Sequence, residues 1–176
     1  MKRCSKLADI GRRAFFARTA STAVGVAVTT VLPTLPASAT PALARVTYPV
    51  NKIGTVAELK VNTPKDIAYP DADSPGVLLK LGARVADGVG PDGDIVAFST
   101  MCPHKGFPLG YRGDDRTLNC PGHYARYDVE RGGLQVWGHA TQNLPQFRLR
   151  VDAAGDIYAE AVDELLYGRL SNVLQA

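Results

Sequence analysis

Two short motifs constrain this chain more than anything else in it: Cys102-Pro103-His104-Lys105-Gly106-Phe107-Pro108 and Cys120-Pro121-Gly122-His123-Tyr124. Fifteen residues separate His104 from Cys120, and each Cys/His pair carries its own Pro and Gly, so the four side chains sit on two short bends. Thiolate is the usual ligand of iron–sulfur iron, and exchanging two of four thiolates for neutral imidazoles leaves a cluster less negative and easier to reduce. The four residues therefore point to electron transfer at a fairly high potential. Three plainer readings compete. Zinc-finger loops space paired ligands by two to four residues, so the single residue between Cys102 and His104 is tight for one tetrahedral ion. A pair of core cysteines with unrelated surface histidines is the second. The third is a disulfide, the usual reading of two lone cysteines in an exported chain, against which the adjacent histidines favour cluster ligation.

With 176 residues, 45% of them hydrophobic, the chain can build one domain with a real core. Its net charge of +3 is unevenly placed. Of the 20 basic and 17 acidic side chains, six and one lie in the first 44 residues, leaving 14 and 16 beyond, a balance of −2. Without its start the chain has no basic surplus to suggest nucleic acid. The cysteines are as uneven, Cys4 at the start and only Cys102 and Cys120 later.

Residues 1–44 look like a targeting segment. Gly11-Arg12-Arg13-Ala14-Phe15-Phe16 precedes a run of small apolar residues from Thr19 to Leu32, then Ala37-Ser38-Ala39 and Ala42-Leu43-Ala44. Paired arginines followed by Phe resemble a twin-arginine (Tat) signal, which exports folded proteins to the periplasm. That suits a chain whose iron–sulfur cluster is inserted before export. An uncleaved anchor is the alternative, although the run from Thr19 to Leu32 falls short of the ~20 residues that span a bilayer.

From Arg45 to Ala176 short β-prone runs alternate with Pro, Gly and Asp. Val46–Val50 and Val77–Leu81 read as strands and Pro64–Pro75 as a polar loop. Gly90–Asp94 is a turn signal ahead of an Ile95–Phe98 strand that delivers the chain into the first motif. Gln146–Val151 alternates at period two, Ala153–Asp156 turns, and Ile157–Val162 returns as a hairpin. Such spacing predicts an all-β antiparallel sandwich or partly open barrel. Val162, Leu165, Leu166, Leu170, Val173 and Leu174 recur at helical spacing, a stripe that packs on its own domain or docks on another subunit.

Taken together, the two motifs resemble the Rieske family. The resemblance implies one two-iron, two-sulfur cluster per chain, with Cys102 and Cys120 on the buried iron and His104 and His123 on the outer one. It also implies a cluster-binding subdomain over about 98–145, with Gly138-His139-Ala140 and Leu144-Pro145 as a covering third loop. His139 reads as a polar loop residue or a partner contact. Gly106, Gly122, Pro103 and Pro121 let the loops bend and bring N–H groups near sulfur. Tyr124 follows the second histidine directly. Trp137 and Phe107 are candidates to shield the site from water, or ordinary core residues.

Two departures from the respiratory members are informative. The places of their loop disulfide are Phe107 and Gly122, so that bond is absent here. Their two hydroxyl donors to cluster sulfur fall at Ala125 and Tyr127, so one is lost and the potential is expected below that of the quinol-oxidising group. With each histidine bound through one ring nitrogen, the other N–H would stay at the surface and the potential would fall as pH rises.

Along nearly its whole length the chain resembles the small subunit of arsenite oxidase. This implies an electron-transfer subunit in a heterodimer or larger assembly, with oxidation itself on a large molybdopterin subunit and a soluble cytochrome c or cupredoxin as acceptor. No residue here is assigned a catalytic role. The Rieske subunit of a quinol–cytochrome c reductase is the alternative, disfavoured by the missing disulfide and weak apolar segment. A ferredoxin of an aromatic-ring dioxygenase is disfavoured by the leader, and a zinc-bearing export domain is the outsider.

Overall fold

The computed structural model describes residues 48–168. The leader assigned to 1–44 lies outside them, as do Val46, Leu170, Val173 and Leu174. Among the described residues ten strands form three antiparallel sheets. β1 (Asn51–Thr55), β10 (Asp156–Val162) and β9 (Phe147–Val151) make the first, in that order, and β2 (Lys65–Ala68), β3 (Pro75–Lys80) and β4 (Ile95–Ser99) the second. The third runs β5 (Gly110–Arg112), β6 (Thr117–Asn119), β7 (Arg126–Asp128), β8 (Leu134–Trp137) and carries the two motifs at its edge of the fold.

The sheet β2-β3-β4 is a party wall. Strands β3 and β4 read as apolar runs because both faces are covered: Val77, Leu79, Leu81, Val96 and Phe98 enter one core with Cys102, Leu118, Cys120 and Tyr127, while Leu78, Ile95 and Ala97 enter a second with Tyr69, Phe147 and Ile157. Period two sorts neighbouring residues to opposite cores. Every one of these leucines, isoleucines and phenylalanines is essentially inaccessible, and cutting one such side chain to Ala costs about 2–5 kcal/mol. The wall thus fixes β4, and with it the point at which the chain enters the first motif. The approach to β4 is pinned by buried Asp94, which pairs with Lys80 at 3.1 Å and accepts from the Gly82 N–H at 2.9 Å.

The antiparallel all-β expectation holds, as do the strands at Val77, Ile95 and Phe147 and the turn before β4. Three boundaries differ. Among the described residues the first strand begins at Asn51: Tyr48–Val50 lie in no strand, Tyr48 packs at the edge of the second core, and the Pro49 carbonyl accepts from the Tyr69 hydroxyl at 2.9 Å. The polar stretch 64–75 holds β2, since Lys65–Ala68 zips onto Gly76–Leu78 although only Ile67 is apolar enough to join the core. Residues 162–168 are not helical: Val162 ends β10, Leu166 is buried, and Leu165 is exposed. Among the described residues no helix is long and apolar enough to cross a membrane.

Candidate metal centre

Both motif loops are built on the same turn. In loop 1 the Cys102 N–H donates to the Phe107 carbonyl at 2.9 Å and the Gly106 N–H to the Cys102 carbonyl at 2.8 Å. In loop 2 the Cys120 N–H donates to the Ala125 carbonyl at 2.8 Å and the Tyr124 N–H to the Cys120 carbonyl at 3.1 Å. The fourth residue after each cysteine is left-handed, Gly106 at φ 69° and Tyr124 at φ 60°. Proline follows cysteine in both, and histidine stands one residue later in loop 2 than in loop 1. Glycine adopts that backbone freely, whereas Tyr124 does so at a cost of roughly 1–2 kcal/mol.

Repeating the turn pairs like with like: the two cysteines enter one core cluster and the two histidine rings meet, while among the described residues no three Cys, His, Asp or Glu side chains are grouped closely enough to hold a single metal ion. Cys102 and Cys120 are free thiols, 1% and 2% exposed, within one core cluster. The rings of His104 and His123 meet edge to face with centroids 4.7 Å apart. His123 is exposed and His104 half-buried. The structure forms no disulfide between Cys102 and Cys120, and Phe107 stands where a covalent tie between the loops would be. Its ring lies so close on Gly122 that a Cβ there would stand 2.8 Å from Cδ2, and it meets the His123 ring edge-on at 5.8 Å. Gly122 is not left-handed, so its service is this close approach, and the bend attributed to it belongs to Tyr124.

Around the thiols, the Tyr127 hydroxyl lies 3.5 Å from Cys102 Sγ. Burial first, then the hydrogen bond to Cys102, push the phenol pKa far above its ordinary value, so the phenol keeps its proton and would donate it to a metal-bound Cys102 sulfur. Ala125 is fully buried and offers no hydroxyl. His104 is shifted down from its ordinary 6.5, by burial and then by His123, which favours the neutral imidazole that binds metal.

The third loop closes over this arrangement. Gly138 approaches loop 2 so tightly that a Cβ would stand 2.4 Å from Ala125 Cα, and the Pro145 carbonyl accepts from the Ser99 N–H at 3.0 Å. Trp137 is 68% exposed and Phe107 42%, so neither is a core residue; Phe107 covers Gly122 and meets the His123 ring. The His139 ring lies 6.2 Å from that of His104.

Residues 50–148 match the Rieske [2Fe-2S] domain family. The chain belongs to the Rieske family. A Rieske domain implies a Rieske-type [2Fe-2S] cluster, and the donor set here fits one. Two free cysteines are buried, two imidazoles meet each other, and His104 Nδ1 is buried with no hydrogen-bond partner, an orphan atom that a bound metal would satisfy. Iodate reductase subunit IdrB of Denitromonas iodatirespirans is 42% identical over 167 residues, spanning 92% of this chain and 89% of that one. The cytochrome bc1 complex Rieske subunit of Corynebacterium efficiens is 35% identical over 69 residues, 39% of this chain and 17% of that one. The soluble domain of Rieske protein II (soxF) from Sulfolobus acidocaldarius shares the Rieske fold, with a TM-score of 0.63 at 24% identity over 73% of this chain and 84% of that chain.

Sequence reasoning missed one contributor to the Rieske site. Tyr167, 61 residues beyond Gly106, lies on loop 1, where a Cβ on Gly106 would meet its Cε1 at 2.3 Å. The only signal was an aromatic residue in a stripe that read as helix.

Proposed function

We propose that Cys102, His104, Cys120 and His123 hold the cluster, both cysteines on the inner iron and both histidines on the outer. The chain then serves as the electron-transfer subunit of a heteromeric oxidoreductase acting on an inorganic oxyanion. The observation that carries the relay reading is the polarity of the donor set: sulfur lies in the core, imidazole at the surface. When bound, the cluster supplies a one-electron store. The chain's own residues do the rest. Leu109, Leu118, Val129 and Leu144 exclude water from the thiol side, Tyr127 donates toward Cys102, and His104 and His123 face outward where an electron can pass to a partner.

The substrate chemistry would lie on a large molybdopterin subunit, the complex being exported folded to the periplasm by the twin-arginine leader and exchanging electrons with a soluble cytochrome c or cupredoxin. Similarity along 92% of the chain to an iodate reductase subunit favours iodate as the oxyanion, with electrons running from the Rieske subunit to the large one. The second reading is arsenite oxidation, with electrons running the other way, and the twin-arginine leader and loop motifs support it. The partial bc1 similarity, 39% of this chain, supports a shared cluster domain and little else of a quinol–cytochrome c reductase.

The test is purification of the native complex from the periplasm, with metal analysis and low-temperature electron spin resonance, followed by two assays. Oxidation of the reduced acceptor by iodate supports the first reading, and reduction of the acceptor by arsenite supports the second. A cytochrome b complex copurifying in place of a molybdenum subunit overturns both. Zinc, or no metal, in freshly isolated material overturns the ligand assignment itself.

A further inference from the structure

The chain beyond β10 returns to the motif loops as a strap. Asp163 fixes its start, accepting from the Gln146 N–H at 2.7 Å through Oδ1 and donating its own N–H to the Gln146 carbonyl at 3.2 Å. The Leu165 carbonyl accepts from Gln142 Nε2 of the third loop at 3.1 Å, and Leu166 is buried in the core shared with Tyr69, Leu78 and Phe147. Next, Tyr167 lays its ring on Gly106. The ideal Cβ position of Gly106 is 2.3 Å from Cε1 and 2.7 Å from Cδ1, so the ring occupies the place where any other residue would carry its side chain.

Gly106 is the left-handed residue of loop 1 and donates the bond that closes the loop onto Cys102, with His104 two residues before it. In loop 2 the equivalent residue is Tyr124, and that loop is already held by Phe107 on Gly122 and by Gly138 on Ala125. Phe107 and Tyr167 thus each lie on a glycine of a different loop. The Tyr167 ring is 39% exposed, and the strap has its own anchor in Leu166.

We propose that Tyr167 is a positioning residue: seated on Gly106, its ring clamps loop 1 and holds His104 in the orientation that binds the outer iron. The proposal rests on the ligand assignment above. The ring does this by contact alone, excluding the open form of the loop. The hydroxyl takes no part, so phenylalanine replaces it fully. Because Tyr167 lies on Gly106, two residues past His104, its loss acts on the histidine side of the site.

The experiment uses the full-length holoprotein in five forms: wild type, Tyr167→Ala, Tyr167→Phe, Gly106→Ala, and Gly106→Ala combined with Tyr167→Ala. The readouts are the electron spin resonance line shape, the reduction potential and the rate of iron loss to a chelator. Tyr167→Ala is expected to broaden the resonance and to lose iron about fivefold faster, the factor given by ~1 kcal/mol of local opening, with thermal stability near wild type. Tyr167→Phe is expected to match wild type. Gly106→Ala is expected to be damaging alone and less so in the Tyr167→Ala background, since the ring it strikes is gone. Wild-type line shape and iron loss in Tyr167→Ala overturn the clamp, as does a Tyr167→Phe variant as poor as Tyr167→Ala. A wild-type protein lacking the mixed thiolate–imidazole spectrum overturns the ligand assignment as well, so the two failures are told apart.

Discussion

The sharpest test of the site is Tyr127→Phe. Tyr127 is fully buried, its hydroxyl is 3.5 Å from Cys102 Sγ, and the shifted pKa of the phenol keeps the proton on oxygen. Phenylalanine fills the same volume in the same core, so the change removes one hydrogen bond and little packing. A hydrogen bond to a charged group contributes about 1.5–3 kcal/mol. It is made in both redox states, so only the difference between them moves the potential. Reduction adds negative charge that sulfur shares, and taking the bond to strengthen by ~1 kcal/mol gives ~40 mV, since a one-electron couple shifts 59 mV per tenfold in equilibrium constant. We expect the potential of Tyr127→Phe to fall by about 40 mV in a spectroelectrochemical titration, with the melting temperature shifted by no more than a few degrees. A potential within about 10 mV of wild type, or a rise, refutes the assignment of Tyr127 as a donor to the reduced cluster.

Ala125→Ser supplies the hydroxyl that the chain lacks beside Cys120 and is expected to raise the potential by a few tens of mV on the same reasoning; an unchanged or lower value counts against the link between Ala125 and a modest potential. Gly138→Ala forces a Cβ to 2.4 Å from Ala125 Cα at φ 100° and is expected to cost about 2–3 kcal/mol in denaturant unfolding, and a loss below ~1 kcal/mol shows that the third loop yields. Asp152 is held below its ordinary 3.8 by the N–H groups of Asp156 and Ala154. Its carboxylate therefore stabilises the β9–β10 hairpin above that value, and the contribution disappears as pH falls through its lower native value. The stability gap between wild type and Asp152→Asn should accordingly be full near neutrality and close under acid, and a gap independent of pH contradicts this.

What the sequence disclosed and what it concealed divide along the range of the interaction. The pairing of the two motif loops, the strands at Val77, Ile95 and Phe147 and the turn over Ala153–Asp156 were legible because period-two apolar runs and Cys/His spacing are local properties. β2 was hidden because Lys65–Ala68 has one core-facing side chain, Ile67, and is a strand only through its pairing with β3. Over its described residues, 162–168, the last stripe misled for the same reason in reverse. Leucines at helical spacing fit a helix, but Leu166 is claimed by the second core and Tyr167 by Gly106, and a chain drawn to both cannot coil. Within the site, Cys-x-His and Cys-x-x-His look like different motifs until the backbone shows one turn used twice, with the left-handed residue four past each cysteine. Glycine content pointed to Gly122 as the bend in loop 2, yet the bend is Tyr124, and Gly122 is small because Phe107 rests on it. In a chain without a loop disulfide, the two loops are tied by an aromatic ring laid on a glycine, and neither partner announces the contact alone. This predicts that Gly122→Ala loosens the ligand loops by displacing Phe107, while Phe107→Ala loosens them by removing it. Each single change should speed iron loss to a chelator, and the double mutant should be no worse than the poorer single. Additive losses would mean that Phe107 and Gly122 act separately and that the tie lies elsewhere.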